Sequence, residues 1–237
     1  FIMALPKLNT PTYELVLPST GEKIKYRPFL VKEQKLLMLA QESKDENSLA
    51  DTLGQLVKSC TFEKIDAENS PMFDIEYIFL KLRAKSVGET AEISILAKDD
   101  NKTRVPIKVN LDKIDIHMTA DHTNEVQIDD KIKLVLKYPV LRDMKHISES
   151  DDEYKKMFAV LNKCIHEIHH GDKIYNSIDV TQKEIDEFVE SMNTSQLAKV
   201  LDFFTTMPKL RHPVSFINPK TKVKNEVVLE GLQTFLG

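Results

Sequence analysis

The sequence predicts an α+β protein: a mainly helical body with an N-terminal β-hairpin, a small central antiparallel β region and a C-terminal β-hairpin. Three observations predict it. Apolar residues alternate with polar ones at both ends of the chain, around Ser19-Thr20-Gly21 and around Asn218-Pro219. They recur every three to four residues over roughly 30–86 and 152–208, as on helices. Between those stretches, over roughly 90–140, the alternation returns. The expected divisions are 1–89 (hairpin and first helices), 90–144 (β region) and 145–237 (last helices and terminal hairpin).

Each element has its own signal. "YELVLP" and "EKIKYRPF" are the arms of the first hairpin, with Gly21 free to take a positive φ in the turn. Pro28 stops the second arm. "LVKEQKLLMLAQES" is then helical, with Leu36, Leu37, Leu39 and Ala40 on its apolar side and Lys32, Glu33, Lys35 and Gln41 facing water. "SLADTLGQLVKSCTF" reads as a second helix capped by Ser48. Pro71 opens a third, "MFDIEYIFLKLRAKS", whose Phe73, Tyr77, Leu80 and Ala84 share one face up to Gly88.

"TAEISILAK", "TRVPIKVNLDKIDI" and "NEVQIDDKIKLVLKYP" supply the central strands, with Pro106 suited to an edge. "DDEYKKMFAVLNKCIHEIHHG" reads as one amphipathic helix, acidic at its start and histidine-rich at its end, as the helix dipole favours. Thr181 and Glu184 form a capping box for "TQKEIDEFVESM". "NTSQLAKVLDFFTTMP" follows and ends at Pro208. The last hairpin runs from "HPVSFI" to "NEVVLEGLQTFLG".

Composition removes several function classes. Thirty-three basic against 37 acidic side chains leave a net charge of -4, so the cationic excess of a duplex-binding surface is missing. The basic set Lys23, Lys25, Arg27 and Lys32 is modest and is followed by acids. Apolar runs such as "LLMLA" are far too short to insert in a bilayer. Phe1–Pro6 lacks the basic segment and long apolar run of a signal peptide. Cys60 and Cys164 are too few for a disulfide scaffold and are expected to be reduced and buried. The expectation is a soluble intracellular protein.

One segment spells a catalytic motif. His166-Glu167-Ile168-His169-His170 has the H-E-x-x-H spacing of zinc metalloproteases, which needs a helix to bring the outer histidines onto one face. On the helix expected here, those histidines lie almost opposite the apolar stripe of Phe158, Leu161, Ile165 and Ile168. Gly171 ends the scaffold at once, and no spacing specifies a third ligand. The expectation is a polar helix end, with no metal and no cofactor. The carboxylate pairs, such as Asp99-Asp100 and Asp129-Asp130, sit in turns without the ligand series of a calcium loop. No glycine-rich phosphate loop is present. What stands out instead is apolar material suited to docking: Phe203 and Phe204 side by side, and Phe235 and Leu236 at the chain end.

Longer stretches carry a resemblance. "MALPKLNTPTYELVLPSTGEKIKYRPFLVKEQKLLMLAQES", "PMFDIEYIFLKLRAKSVGE", "LAKVLDFFTTMPKL" and "VVLEGLQTFLG" resemble the baseplate hub subunit or hub assembly protein family of T4-like contractile-tailed bacteriophages, over essentially the whole chain. The resemblance implies a non-enzymatic protein acting by protein–protein contact, with other hub or hub assembly proteins as partners. It implies action in the host-cell cytoplasm during assembly and leaves open a place in the finished tail baseplate. Homo-oligomerisation is left open as well. A phage-encoded binding module for a host protein is the alternative, and a zinc hydrolase using the histidine segment the remoter one. The contact residues it implies are Lys25, Tyr26, Arg27, Pro28 and Phe29 at the first hairpin's exit. Along the third helix they are Phe73, Asp74, Glu76, Arg83, Lys85, Gly88 and Glu89, and near the C-terminus Phe203, Phe204 and Pro208. Arg27, Arg83 and Arg142 suit charge-paired contacts because a guanidinium bridges two acceptors. Relatives are described as carrying cysteine pairs in the last hairpin; "INPKTKVKNE" has none, so hydrogen bonds and packing are expected to hold that turn.

Overall fold

The structure, a computed structural model, describes residues 8–43, 45–144 and 152–236. It is the expected α+β mixture with a hairpin near each end. Strands β1 (Tyr13–Val16) and β2 (Lys23–Tyr26) pair antiparallel, Leu15 opposite Ile24. Their alternate residues Leu15, Ile24 and Tyr26 turn inward, as period two requires. Helices α1 (Val31–Ser43), α2 (Glu46–Cys60) and α3 (Met72–Ser86) follow. The cap of α2 is Asp45, which accepts from Asn47 N, rather than the expected Ser48, which lies inside the helix. Gly54 sits within α2 because a Cβ there would meet Leu141 Cδ2 at 3.0 Å.

The central strands are antiparallel and shared among three sheets. β3 (Thr90–Leu96) pairs with β4 (Arg104–Asn110) alone, and Pro106 lies on that two-stranded edge. β5 (Asp115–His117) joins the C-terminal hairpin of β10 (Lys209–Ile217) and β11 (Lys224–Glu230), in the order β11-β10-β5. β6 (Glu125–Gln127) and β7 (Ile132–Leu136) pair with each other and continue into β8 (Ile165–His170) and β9 (Lys173–Asn176).

Two corrections to the sequence reading arise here. The helix expected to run to Gly171 is α5 (Glu153–Cys164), and the histidine segment is strand β8. Pairing with β7, Leu134 opposite Ile168, overrides the local helical period. The last segment also divides. Gly231, at φ +71, ends β11 and turns the chain into the short helix α8 (Leu232–Leu236).

Buried side chains form two cores. The first joins the β1–β2 hairpin, α2, α3, the β3–β4 hairpin, β10–β11 and α8. Phe235 and Leu232 pin α8 into it, and complete burial of Phe235 contributes about 2–3 kcal/mol. The second core takes Leu134 and Leu136 of β7, Leu161 of α5, Ile185 and Val189 of α6 (Gln182–Glu190), and Val200 and Phe203 of α7 (Thr194–Thr206). The expected capping box of Thr181 and Glu184 starts α6, and Asn193 with Gln196 forms another for α7. Between the cores, Met72 N donates to Pro139 O at 2.9 Å, Arg142 N donates to Glu68 O at 3.1 Å, and Leu141 of α4 (Leu141–Met144) enters the first core.

Candidate protein-contact surface

The exit of β2 is fixed by one buried charge pair. Arg27 Nη2 donates to Glu33 Oε1 at 2.9 Å and to Ser59 Oγ at 2.9 Å, while Nη1 reaches Pro28 O at 3.0 Å. Glu33 Oε2 accepts from Leu30 N at 2.6 Å, which holds the first turn of α1. Burial alone would push the Glu33 carboxyl up. The Arg27 and Leu30 hydrogen bonds outweigh it and hold the group below the ordinary glutamate range.

This pair turns α1 over. Glu33, expected in water, is buried, and Ala40 and half-buried Leu37 share its side of the helix. Leu36 and Leu39, expected inside, are 51% and 63% exposed, and Val31 and Met38 are 71% and 53% exposed. Leu30 and Phe62 add to the apolar surface around the joint. Phe62 follows α2 with φ +56, a left-handed conformation that costs an aromatic residue about 1–2 kcal/mol, and its ring is half exposed. The Cys60 carbonyl nearby accepts Arg27 N at 2.9 Å. Lys32, Lys35 and Lys25 are exposed on the same portion of chain.

Most of the residues named by resemblance serve the chain's own packing. Tyr26, Pro28 and Phe29 are buried, and Phe29 N donates to Ser86 Oγ at 2.9 Å. Asp74 is buried and accepts from both the N–H and the hydroxyl of Ser19, tying the hairpin turn to α3. Burial raises its carboxyl pKa, against those bonds. Burial likewise raises Glu76, which faces Leu232 N of α8 at 3.5 Å. Arg83 is half-buried, and burial lowers its pKa. Lys85 donates to Asp112 at 2.7 Å and Glu89 at 2.5 Å, which raises its pKa. Gly88 is exposed at φ +144 and ends the α3 region. Arg142 is 59% exposed, 3.9 Å from Asp143.

Phe203 is buried in the second core, and Phe204 packs edge-on against it at 5.1 Å. Phe73 meets Tyr138 edge-on at 5.1 Å, and Pro208 is buried. Phe235 is fully buried; the side chain of Leu236 lies outside the described residues. The sequence reading missed the outward leucines of α1, and the signal that could have found them is the arginine six residues before Glu33. A buried carboxylate is retained only with a cation beside it.

The histidine segment brings no ligand set together. On strand β8, at about 3.3 Å per residue, His166 and His170 stand about 13 Å apart rather than one helical turn. Glu167 instead receives His169 Nε2 at 2.7 Å. Among the described residues, no three His, Cys, Asp or Glu side chains are grouped to hold a metal ion. Cys60 and Cys164 are both free and buried, and burial pushes their thiols up to about 11 and about 12. No described helix is long and apolar enough to cross a membrane.

Buried charges brace the protein's own elements, and apolar side chains are turned outward on α1. Residues 10–237 match the family described as T4 bacteriophage base plate protein, and the chain belongs to that family. Its role is therefore structural or in assembly, in the phage tail baseplate. No curated protein and no solved structure matches.

Proposed function

We propose that this chain is a hub subunit or hub assembly factor of the baseplate. It works without catalysis, by docking other hub proteins on α1 and the β2–α1 joint, in the host-cell cytoplasm while the tail is built. The orientation of α1 carries this reading. A short helix with Val31, Leu36, Met38 and Leu39 turned to solvent and a glutamate turned inward leaves apolar surface that a partner would cover. Exposed Lys32 and Lys35 beside those side chains supply the polar rim common at such contacts.

Affinity purification of the tagged chain from infected cells tests the proposal. Hub proteins should co-purify, and Leu36→Glu with Leu39→Glu should remove them while the circular dichroism spectrum is kept. Arg27→Ala is a poorer probe, because Arg27 is engaged inside the chain. Recovery of host proteins alone would favour the host-directed binding module. Unchanged recovery of hub proteins from the double variant would move the contact surface elsewhere.

A further inference from the structure

The sheet β11-β10-β5 ends in an open seven-residue strand whose end charges complement their own reverse. Pro213 has no N–H and stands opposite Val228, so that pair is a non-hydrogen-bonded one. By alternation, the pairs Ser215–Glu226, Ile217–Lys224 and Arg211–Glu230 are non-bonded too. The N–H and C=O groups of Lys224, Glu226, Val228 and Glu230 therefore point away from β10. Consistent with this, the Glu230 carbonyl accepts from Thr234 Oγ1 at 2.6 Å, keeping a second lone pair. No described strand takes these groups.

Other edges are closed, short or repulsive. Lys199 Nζ donates to Gln127 O and Ile128 O at 3.1 and 2.9 Å, across the open side of β6. Strand β4 carries Pro106 with Arg104 and Lys108, cations on either side of a missing donor. β9 has four residues, and the outward positions of β3 carry one charge, Glu92, with no opposite charge to meet.

We propose that a second copy of this chain pairs antiparallel with β11 about a twofold axis at Val227, joining two three-stranded sheets into one. In that register, Lys224 faces Glu230 of the second copy and Glu230 faces its Lys224, one ion pair at each end. Sliding by two residues in either direction sets Glu226 against Glu226 or against Glu230, both repulsive. The charges thus favour this register over either neighbouring one. At its centre, Val227 faces its own counterpart, and Val228, 52% exposed, faces Glu226 of the second copy. This inference does not rest on the α1 docking surface.

Sedimentation of the full chain across a concentration series tests it. The wild-type chain should dimerise. Lys224→Glu places like charges at both ends of the interface and should raise the dimer Kd about tenfold or more. Glu230→Lys should do the same, and mixing the two variants should restore a dimer, because each then offers the charge the other lacks. Lys224 is 65% exposed, so Lys224→Glu keeps the fold, checked by circular dichroism. A wild-type chain that stays monomeric, a Lys224→Glu variant as dimeric as wild type, or a mixture no more dimeric than its parts would each overturn the proposal.

Discussion

Arg27 and Glu33 meet at 2.9 Å beneath α1, with 13% and 7% of their side chains exposed, and the pair sets which face of the helix looks out. Removing either partner strands the other charge. Arg27→Ala or Glu33→Ala is expected to cost about 3 kcal/mol in urea denaturation, whereas Arg27→Met with Glu33→Leu recovers most of it. The pH dependence has a definite sign. Glu33 is held below its unfolded value, so its contribution is complete above the ordinary glutamate pKa and is lost as pH falls through the depressed one. A Glu33→Leu background should flatten the acid limb of stability.

The C-terminal hairpin turn is latched by amides to the β3–β4 turn. Asn225 Oδ1 accepts from Lys98 N at 2.8 Å, and its Nδ2 donates to Asp99 Oδ1 at 2.8 Å. Asn218 Nδ2 also reaches Asp99, at 3.1 Å. Asn225 is 4% exposed, so Asn225→Ala leaves buried groups without partners and is expected to cost about 2 kcal/mol. Hydrogen exchange should quicken in the turn at 218–223 and around Lys98 together. Exchange confined to one of the two turns would show that they are not latched.

The histidine segment is expected to behave as ordinary surface strand. His166 is half exposed on β8 and stands 3.9 Å from Glu167. His166→Ala should change stability by no more than about 0.5 kcal/mol. Chelator treatment should leave the melting temperature unmoved, and metal analysis of purified protein should find no stoichiometric zinc. One zinc per chain, lost in His166→Ala, would overturn this.

How much was legible follows from where each signal is stored. The β1–β2 hairpin and α3 were readable because their information is local: Leu15, Ile24 and Tyr26 alternate around a turn, and Pro71 and Gly88 bracket a helical period. The end of α5 was not. Phe158, Leu161, Ile165 and Ile168 fit a helical stripe, yet Ile165 and Ile168 also suit a strand. The choice is made by Leu134 and Leu136, some thirty residues away along the chain. Gly171 misled for a related reason: its positive φ serves a helix end and a two-residue hairpin alike, and here it turns β8 into β9. The outward leucines of α1 were hidden differently. Binary patterning puts leucines inside and glutamates outside, and α1 breaks that rule through Arg27, which lies outside the helix in the β2–α1 joint.

The last prediction concerns His122, which bridges two hydroxyls at the second core. Its Nδ1 lies 2.9 Å from Thr206 Oγ1 and its Nε2 lies 3.0 Å from the Tyr138 hydroxyl. Thr206 already donates its proton to Asp202 O at 2.8 Å, so it can only accept from His122. The neutral ring must therefore carry its proton on Nδ1, and Tyr138 donates to Nε2. Nitrogen chemical shifts should show that tautomer; a proton on Nε2 would break the assignment. Burial lowers the His122 pKa, while Asp202 opposes the shift. A depressed histidine binds fewer protons folded than unfolded, so its contribution is complete above its unfolded pKa. It is lost as pH falls from there toward the lower folded value. Protonation also forces the Tyr138 hydroxyl to turn from donor to acceptor, beside Phe203 stacked on it at 5.7 Å. His122→Gln should remove this part of the acid sensitivity. An unchanged slope of stability against pH between the two pKa values would place the sensitivity elsewhere.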